Sequence, residues 1–335
     1  MRRVLVPLDI SPHLPQLGST LHELGGATMG TSWSVKLMLP GALPGALQDK
    51  LQDVLDGVIA EMSHWENDSN LSRYNRAPAG RWHQLPNNFF KVIDYALWVA
   101  AASDGAYDPC AGALVNLWGF GARKRYDQDD FYAPATGAIE AILQRGDCAR
   151  VQLDSIGRRL LQPGAVQLDL SSVAKGFAVD QLARCLELEG VRHYLVEVGG
   201  ELRGAGRKAD NNPWWIALEQ VPGDDGVAPT VLALHNLAVA TSGDYRRFFQ
   251  YGATRASHTV DPRTGYPIRN DVASVTVIHQ ECMAADALST ALSVLGVEPG
   301  LRFAEQHHLA ARFLVRAAAG LQEHTSSAYR SMLQA

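Results

Sequence analysis

Asp286 and Thr290 stand four residues apart at the start of a run, ending at Gly296, whose apolar residues recur at helical spacing. On an α-helix that spacing sets a carboxylate and a hydroxyl on one face, with their Cβ atoms about 5–6 Å apart. Two hard oxygens so placed can share one Mg²⁺. The pair also fits a plainer account, since an acidic residue near a helix start complements the macrodipole and a threonine there can be a core-edge hydroxyl. Upstream, His258 lies between Ser257 and Thr259, ahead of the turn-forming Asp261-Pro262-Arg263-Thr264-Gly265. An imidazole is well suited to take a hydroxyl's proton near neutral pH, and equally able to bind phosphate or order a loop. Lys175 opens a further helical run behind Leu168-Asp169-Leu170-Ser171-Ser172. A cation there suits a polyanion held at a helix N-terminus, although an isolated lysine in such a place is often only a surface residue. Ser172 reads as the N-cap of the same helix.

These segments occur in order with several others: Thr28-Met29-Gly30-Thr31, Met62-Ser63-His64-Trp65 with Ser72-Arg73-Tyr74-Asn75, Asp108 to Gly121, Glu197-Val198-Gly199-Gly200 and Thr241-Ser242-Gly243-Asp244-Tyr245. Together they span roughly residues 25–300 and resemble the ApbE-type FAD:protein FMN transferases, which move FMN from FAD onto a Thr or Ser hydroxyl of an acceptor protein and release AMP. The resemblance implies a T-fold-like α+β architecture, Mg²⁺ as cofactor, FAD as substrate and an acceptor flavoprotein as partner. It implies metal ligation by Asp286, Thr290 and the main-chain carbonyl of Ser172. It places Met29 and Trp65 at the flavin, the backbone of Ala111, Gly112 and Ala113 beside the cofactor, and Asp169, Lys175 and Thr259 among the FAD contacts. His258 is then the candidate base. Relatives commonly carry proline where Ala113 stands, a departure that bears on the rigidity of that loop. The same phosphate machinery would serve a Mg²⁺-dependent FAD pyrophosphatase giving FMN and AMP, and an FAD-binding protein without turnover is the non-enzymatic alternative.

With 335 residues, 47% hydrophobic and 19% charged, the composition is that of an ordinary globular enzyme. A formal net charge of −5 argues against nucleic-acid binding by bulk electrostatics. Cys110, Cys148, Cys185 and Cys282 are scattered without metal-site spacing and are expected to be reduced and structural. No apolar stretch approaches the roughly 18 residues of a membrane span. After Met-Arg-Arg, Pro7 and Asp9 interrupt the apolar run before it reaches signal-peptide length, so the expected location is cytoplasmic, although many relatives are exported and membrane-anchored.

The elements that must position these residues follow from periodicity. Residues 1–24 are expected to form an arm or a short strand, and residues 25–335 the transferase domain, as a core with room for a smaller subdomain. Ser32 to Leu39 alternates as a strand. Leu47, Leu51, Val54, Leu55, Val58, Ile59 and Met62 mark one face of a long helix. A second helix is expected from an Asn87 or Asn88 cap to Gly105. Residues 122–138 read as a loop or weak helix. Val166 to Leu170 reads as a strand turning into the Lys175 helix, which stops at Gly190. His193 to Val198, the pair Trp214 to Leu218 and Val231 to Leu234, and Ala273 to Ile278 are the remaining strands. Hairpins mixed with helices favour an α+β fold of mixed and antiparallel sheets layered with helices.

Overall fold

The computed structural model describes residues 3–123, 125–144, 150–222, 226–252 and 254–333. Cys148 and the centre of the turn between Trp214 and Leu234 lie outside them. An eight-stranded sheet dominates, in the order Gly320–Thr325, Ala310–Ala317, Val272–His279, Leu237–Gly243, Glu201–Ala205, Tyr194–Val198, Thr31–Pro40, Ser19–Thr28. Every neighbouring pair in it is antiparallel.

Both faces of the sheet are covered. Leu47–Met62, Asn87–Ala102, Ala174–Leu188 and Cys282–Leu295 bury their apolar stripes with Val35, Leu37, Val196, Val275 and Val277 on one face. On the other face, Leu5, Trp214, Leu232 and Leu234 cluster with Met38, Val239 and Ile278. The first four come from a three-stranded sheet of Arg3–Leu5, Thr230–Leu234 and Trp214–Ala217, the other three from the eight-stranded sheet itself. Val272–His279 is therefore buried along almost its whole length, its Val, Ala and Ile residues interrupted only by the small hydroxyl side chains of Ser274 and Thr276 before His279. A satellite cluster joins Leu114, Trp118, Phe120 and Ile139 to Phe249, Val260 and Tyr266. The indole Nε1 of Trp118 donates to the Gly265 carbonyl at 2.7 Å and ties the loop after His258 to this cluster.

Three sequence expectations are revised. Val166 to Leu170 forms no strand, only an isolated bridge from Ala111 to Gln167. Its apolar residues are buried in alternation, yet the Asn75 side-chain amide brackets Leu168, accepting its N–H at 2.8 Å and donating to its carbonyl at 2.9 Å. The helix Asn87–Ala102 is preceded by Pro86 and carries no side-chain cap at its N-cap; the Glu61 carboxylate accepts the Phe89 N–H instead. The boundary drawn at residue 24 falls inside the strand Ser19–Thr28, whose pairing with Thr31–Pro40 runs over its full length. Cys110 and Cys282 are buried and Cys185 is partly exposed, none of them in a disulfide.

Candidate functional site

Two helices, Ala174–Leu188 and Cys282–Leu295, cross at Gly176. A Cβ there would lie 2.3 Å from the Cys282 carbonyl oxygen and 2.8 Å from Cβ of Asp286, so only glycine permits this approach. The contact brings the Asp286 carboxylate, 4% exposed, onto the start of the other helix, where its Oδ2 accepts the Gly176 N–H at 2.9 Å. That N–H is one of the donors a helix start leaves without an intrahelical acceptor, and the Ser172 carbonyl stands just ahead of the helix's N-cap, Val173. Among the described residues no group donates to that carbonyl. Asp180 stitches the helices a second time: its two carboxylate oxygens accept the N–H groups of Cys282 at 3.1 Å and Met283 at 2.9 Å, and Arg203 pairs with it at 2.6 Å. The helix of Asp286 thus takes its N-terminal cap from a neighbouring helix, its own N-cap residue Glu281 making no side-chain cap bond.

Thr290 faces a small hydroxyl cluster. Ser242 Oγ lies 3.2 Å from Thr290 Oγ1 and 2.7 Å from Ser289 Oγ, and Ser289 donates to the Asp286 carbonyl. Beside Asp286, the Lys175 ammonium pairs with Glu201 at 2.5 Å. Burial pushes the Asp286 carboxyl above its ordinary range, with the Lys175 charge and the Gly176 N–H opposing. Burial likewise raises Glu201, with Lys175 working against it and Asp286 with it. Burial pulls Lys175 down, but the Glu201 and Asp286 charges outweigh that, so the ammonium stays protonated.

His258 follows the hairpin of Phe248–Tyr251 and Thr254–Ser257. Its Nδ1 lies 3.2 Å from the Arg247 carbonyl. A carbonyl only accepts, so Nδ1 carries the proton and Nε2 keeps a lone pair. The imidazole is pulled down to about 4, first by burial and then by the charges of Arg247, Lys175 and Arg246, against the opposing bond to the Arg247 carbonyl. It is neutral at pH 7.

The other sequence-selected residues border the same place. Met29 and Gly30, at φ +49° and +70°, form the two-residue turn between the first two long strands; positive φ at both positions matches a type I′ hairpin. A bulky side chain in that conformation is uncommon. Next to the turn, Thr31 and the Lys175 stem both crowd Gly199, whose φ is +59°. Asp169 Oδ1 accepts the Ser171 N–H at 2.8 Å and lies 3.9 Å from His64 Nδ1, while the His64 ring tilts against the half-exposed Trp65 at 5.3 Å. His64 Nε2 is buried without a partner among the described residues. Gly112 donates to the Gln167 carbonyl, which holds the Ala111-Gly112-Ala113 segment against the Asp169 strand-like stretch. Ser172 Oγ reaches the Tyr107 hydroxyl at 3.3 Å rather than capping its helix. Thr259 is half-buried, and its carbonyl accepts from Ile268. A separate cleft of about 520 Å³, lined by Val221, Tyr245, Phe248, Arg255 and Arg316, contains none of the candidate ligands.

Among the described residues no group of three His, Cys, Asp or Glu side chains could hold a metal ion. A cation here would have to draw on hydroxyl and main-chain oxygens as well. The donors available are the Asp286 Oδ1, which accepts no hydrogen bond among the described residues, the Thr290 hydroxyl and the Ser172 carbonyl. An all-oxygen set of this kind fits Mg²⁺.

A sequence profile of the ApbE family matches residues 29–313. The chain belongs to the ApbE family. A FAD:protein FMN transferase of Haemophilus influenzae is 34% identical over 99% of this chain and 97% of its own length. The Pseudomonas stutzeri flavinyl transferase ApbE, in its apo form, superposes with a TM-score of 0.85 at 36% identity, covering 94% of this chain and 97% of that one. The Vibrio cholerae flavin transferase ApbE does so with a TM-score of 0.85 at 34% identity, covering 94% and 99%. The layered α+β fold is thus an ApbE architecture.

Glu201, Arg246 and Asp180 adjoin the candidate residues and are ones that sequence reasoning passed over. Glu201 directly follows the Glu197 to Gly200 block, and Arg246 directly follows the Thr241 to Tyr245 block. Asp180 gave a subtler sign, an acidic residue three positions from both Phe177 and Ala183 on an otherwise buried helix face.

Proposed function

We infer that this protein transfers FMN from FAD onto a side-chain hydroxyl of an acceptor protein, releasing AMP. What carries the inference is the hydrogen bond from Gly176 to Asp286, which sets a buried carboxylate, with Thr290 one turn further along its helix, against the start of the Lys175 helix, four residues after a Ser172 carbonyl that accepts no hydrogen bond among the described residues. The carboxylate caps the helix start through one oxygen, while the other, which accepts no hydrogen bond among the described residues, is open to the counter-ion of a pyrophosphate. Membership in the ApbE family and the names of the similar proteins support the same reaction.

In this scheme the acceptor oxygen attacks the FMN-side phosphorus, the bond from that phosphorus to the bridging oxygen breaks, and AMP departs with the electron pair. Asp286, Thr290 and the Ser172 carbonyl would hold Mg²⁺, which supplies charge neutralisation at the phosphate oxygens. Lys175 adds a fixed cation, kept protonated by the two carboxylates beside it. His258 receives the acceptor's proton at Nε2 while the Arg247 carbonyl fixes its tautomer. Burial is the chief cause of the imidazole's low value, and negative charge arriving with FAD would offset the smaller contribution of Arg247, Lys175 and Arg246. Met29 and Trp65 offer a thioether and an aromatic plane to the isoalloxazine. Asp169, with His64 behind it, and the backbone at Ala111, Gly112 and Ala113 line the cofactor's path, with Thr259 beside His258.

The test is mass spectrometry of a Thr-containing or Ser-containing acceptor domain after incubation with the protein, FAD and Mg²⁺. A covalent FMN adduct on the hydroxyl residue is expected. Its absence from every acceptor tested, with FAD consumed, would shift the assignment to a pyrophosphatase.

A further inference from the structure

Glu201 is 2% exposed, and its surroundings give it little purely structural employment. One carboxylate oxygen pairs with Lys175, and the other, Oε2, is buried without a hydrogen-bond partner among the described residues. Leaving such an acceptor unsatisfied costs stability, and replacing a buried ion pair by apolar residues is often neutral or better. The residue lies directly after the Gly199-Gly200 turn, where both φ angles are positive, at +59° and +102°. That turn is gripped from two sides. The Lys175 stem lies 3.3 Å from where a Cβ on Gly199 would stand, and the Arg246 guanidinium lies 3.0 Å from the same position on Gly200 while donating to the Gly199 carbonyl. The strand start, the glycine turn and the carboxylate thus confine a four-carbon side chain that would otherwise sweep freely.

We propose that Glu201 is a positioning residue for the transfer reaction, holding the Lys175 ammonium at the one place from which it meets the pyrophosphate. This rests on the assignment of Lys175 to FAD made above. Glu201 does not touch substrate; its effect passes through the lysine. A carboxylate near a polyanionic ligand opposes binding, so its retention is explained by alignment and not by affinity. A displacement of about 1 Å at a catalytic group can cost about 100-fold in rate.

The experiment is a double-substitution cycle on the full chain with Glu201→Gln and Lys175→Met, reading FMN transfer at saturating FAD and FAD affinity by flavin fluorescence. Glu201→Gln is expected to slow transfer by about 10-fold to 100-fold. Its FAD affinity should be no weaker than the parent's, because an anion has been removed. In a Lys175→Met background the Glu201→Gln change should add nothing. Should Glu201→Gln fail to fold, Glu201→Asp keeps the charge, draws the lysine back by one methylene and should show the same split between rate and affinity. Parent-like transfer in the Glu201 variants, or effects that multiply in the double variant, would overturn the positioning role while leaving Lys175 in place. Parent-like FAD binding and transfer in Lys175→Met would instead overturn the lysine assignment on which the proposal stands.

Discussion

The carboxylate of Asp286 accepts the main-chain N–H of Gly176 at 2.9 Å, across the crossing of two helices far apart in sequence. This bond satisfies a donor that the start of the second helix leaves without an intrahelical acceptor, and among the described residues the Ser172 carbonyl just ahead of that helix accepts no hydrogen bond.

Asp286→Asn retains an oxygen for Gly176 and should preserve the fold, but removes the only full charge among the three oxygen donors. FAD turnover should fall by at least about 100-fold. Thr290→Val should be milder, since a neutral hydroxyl contributes less than a carboxylate. Initial rates across a Mg²⁺ titration, with thermal melts of the same samples, check both. Parent-like turnover in Asp286→Asn would remove this residue from the metal.

Gly176→Ala places a methyl where the Cys282 carbonyl and Asp286 Cβ already stand. The helices must part, at a cost of about 1–3 kcal/mol. The accompanying signature is a higher Mg²⁺ requirement, because the widened crossing separates Ser172 from Asp286. Urea denaturation gives the first quantity and activity at graded Mg²⁺ the second.

Asp180→Ala uncaps two N–H groups and leaves the partly buried Arg203 guanidinium only its more distant Glu187 partner at 3.9 Å. Breaking such a pair by removing one partner costs about 3–5 kcal/mol. Equilibrium denaturation should register a loss near that size. A shift below about 0.5 kcal/mol, as for an ordinary surface change, would contradict the capping role.

Much of this was legible along the chain, and the exceptions share a cause. Asp286 and Thr290 could be paired from sequence because an i, i+4 relation is local, and the helix Leu47–Met62 announces itself through its apolar face. Glu201 with Lys175, and Asp180 with Cys282, are encounters between distant segments, which periodicity does not report. Val166 to Leu170 misleads for a related reason: alternation records which side chains are buried, whereas a strand needs backbone partners, and here Asn75 supplies them. Ser19–Thr28 was hidden by Gly25 and Gly26, which weaken a strand pattern. A Cβ on Gly26 would strike the Trp33 indole at 2.7 Å, so the packing requires what the propensity disfavours.

His258 carries a pH signature of its own. Its ordinary value is 6.5, and the fold pulls it to about 4. Between those values the unfolded chain binds the extra proton, so the contribution of this residue to stability is full above about pH 6.5 and declines as pH falls toward 4. His258→Asn should flatten that part of the stability curve, measured by denaturant titration from pH 7 to 4.5. With acceptor and FAD saturating, His258→Ala should slow transfer by about 10²–10⁴-fold while FAD still binds.

The transfer assignment is most directly tested by following AMP release from FAD with and without an acceptor domain, and counting covalent FMN on the acceptor in the same samples. A transferase predicts AMP release that depends on the acceptor and matches the adduct one for one. Equal AMP release in both samples, with free FMN and no adduct, would contradict it.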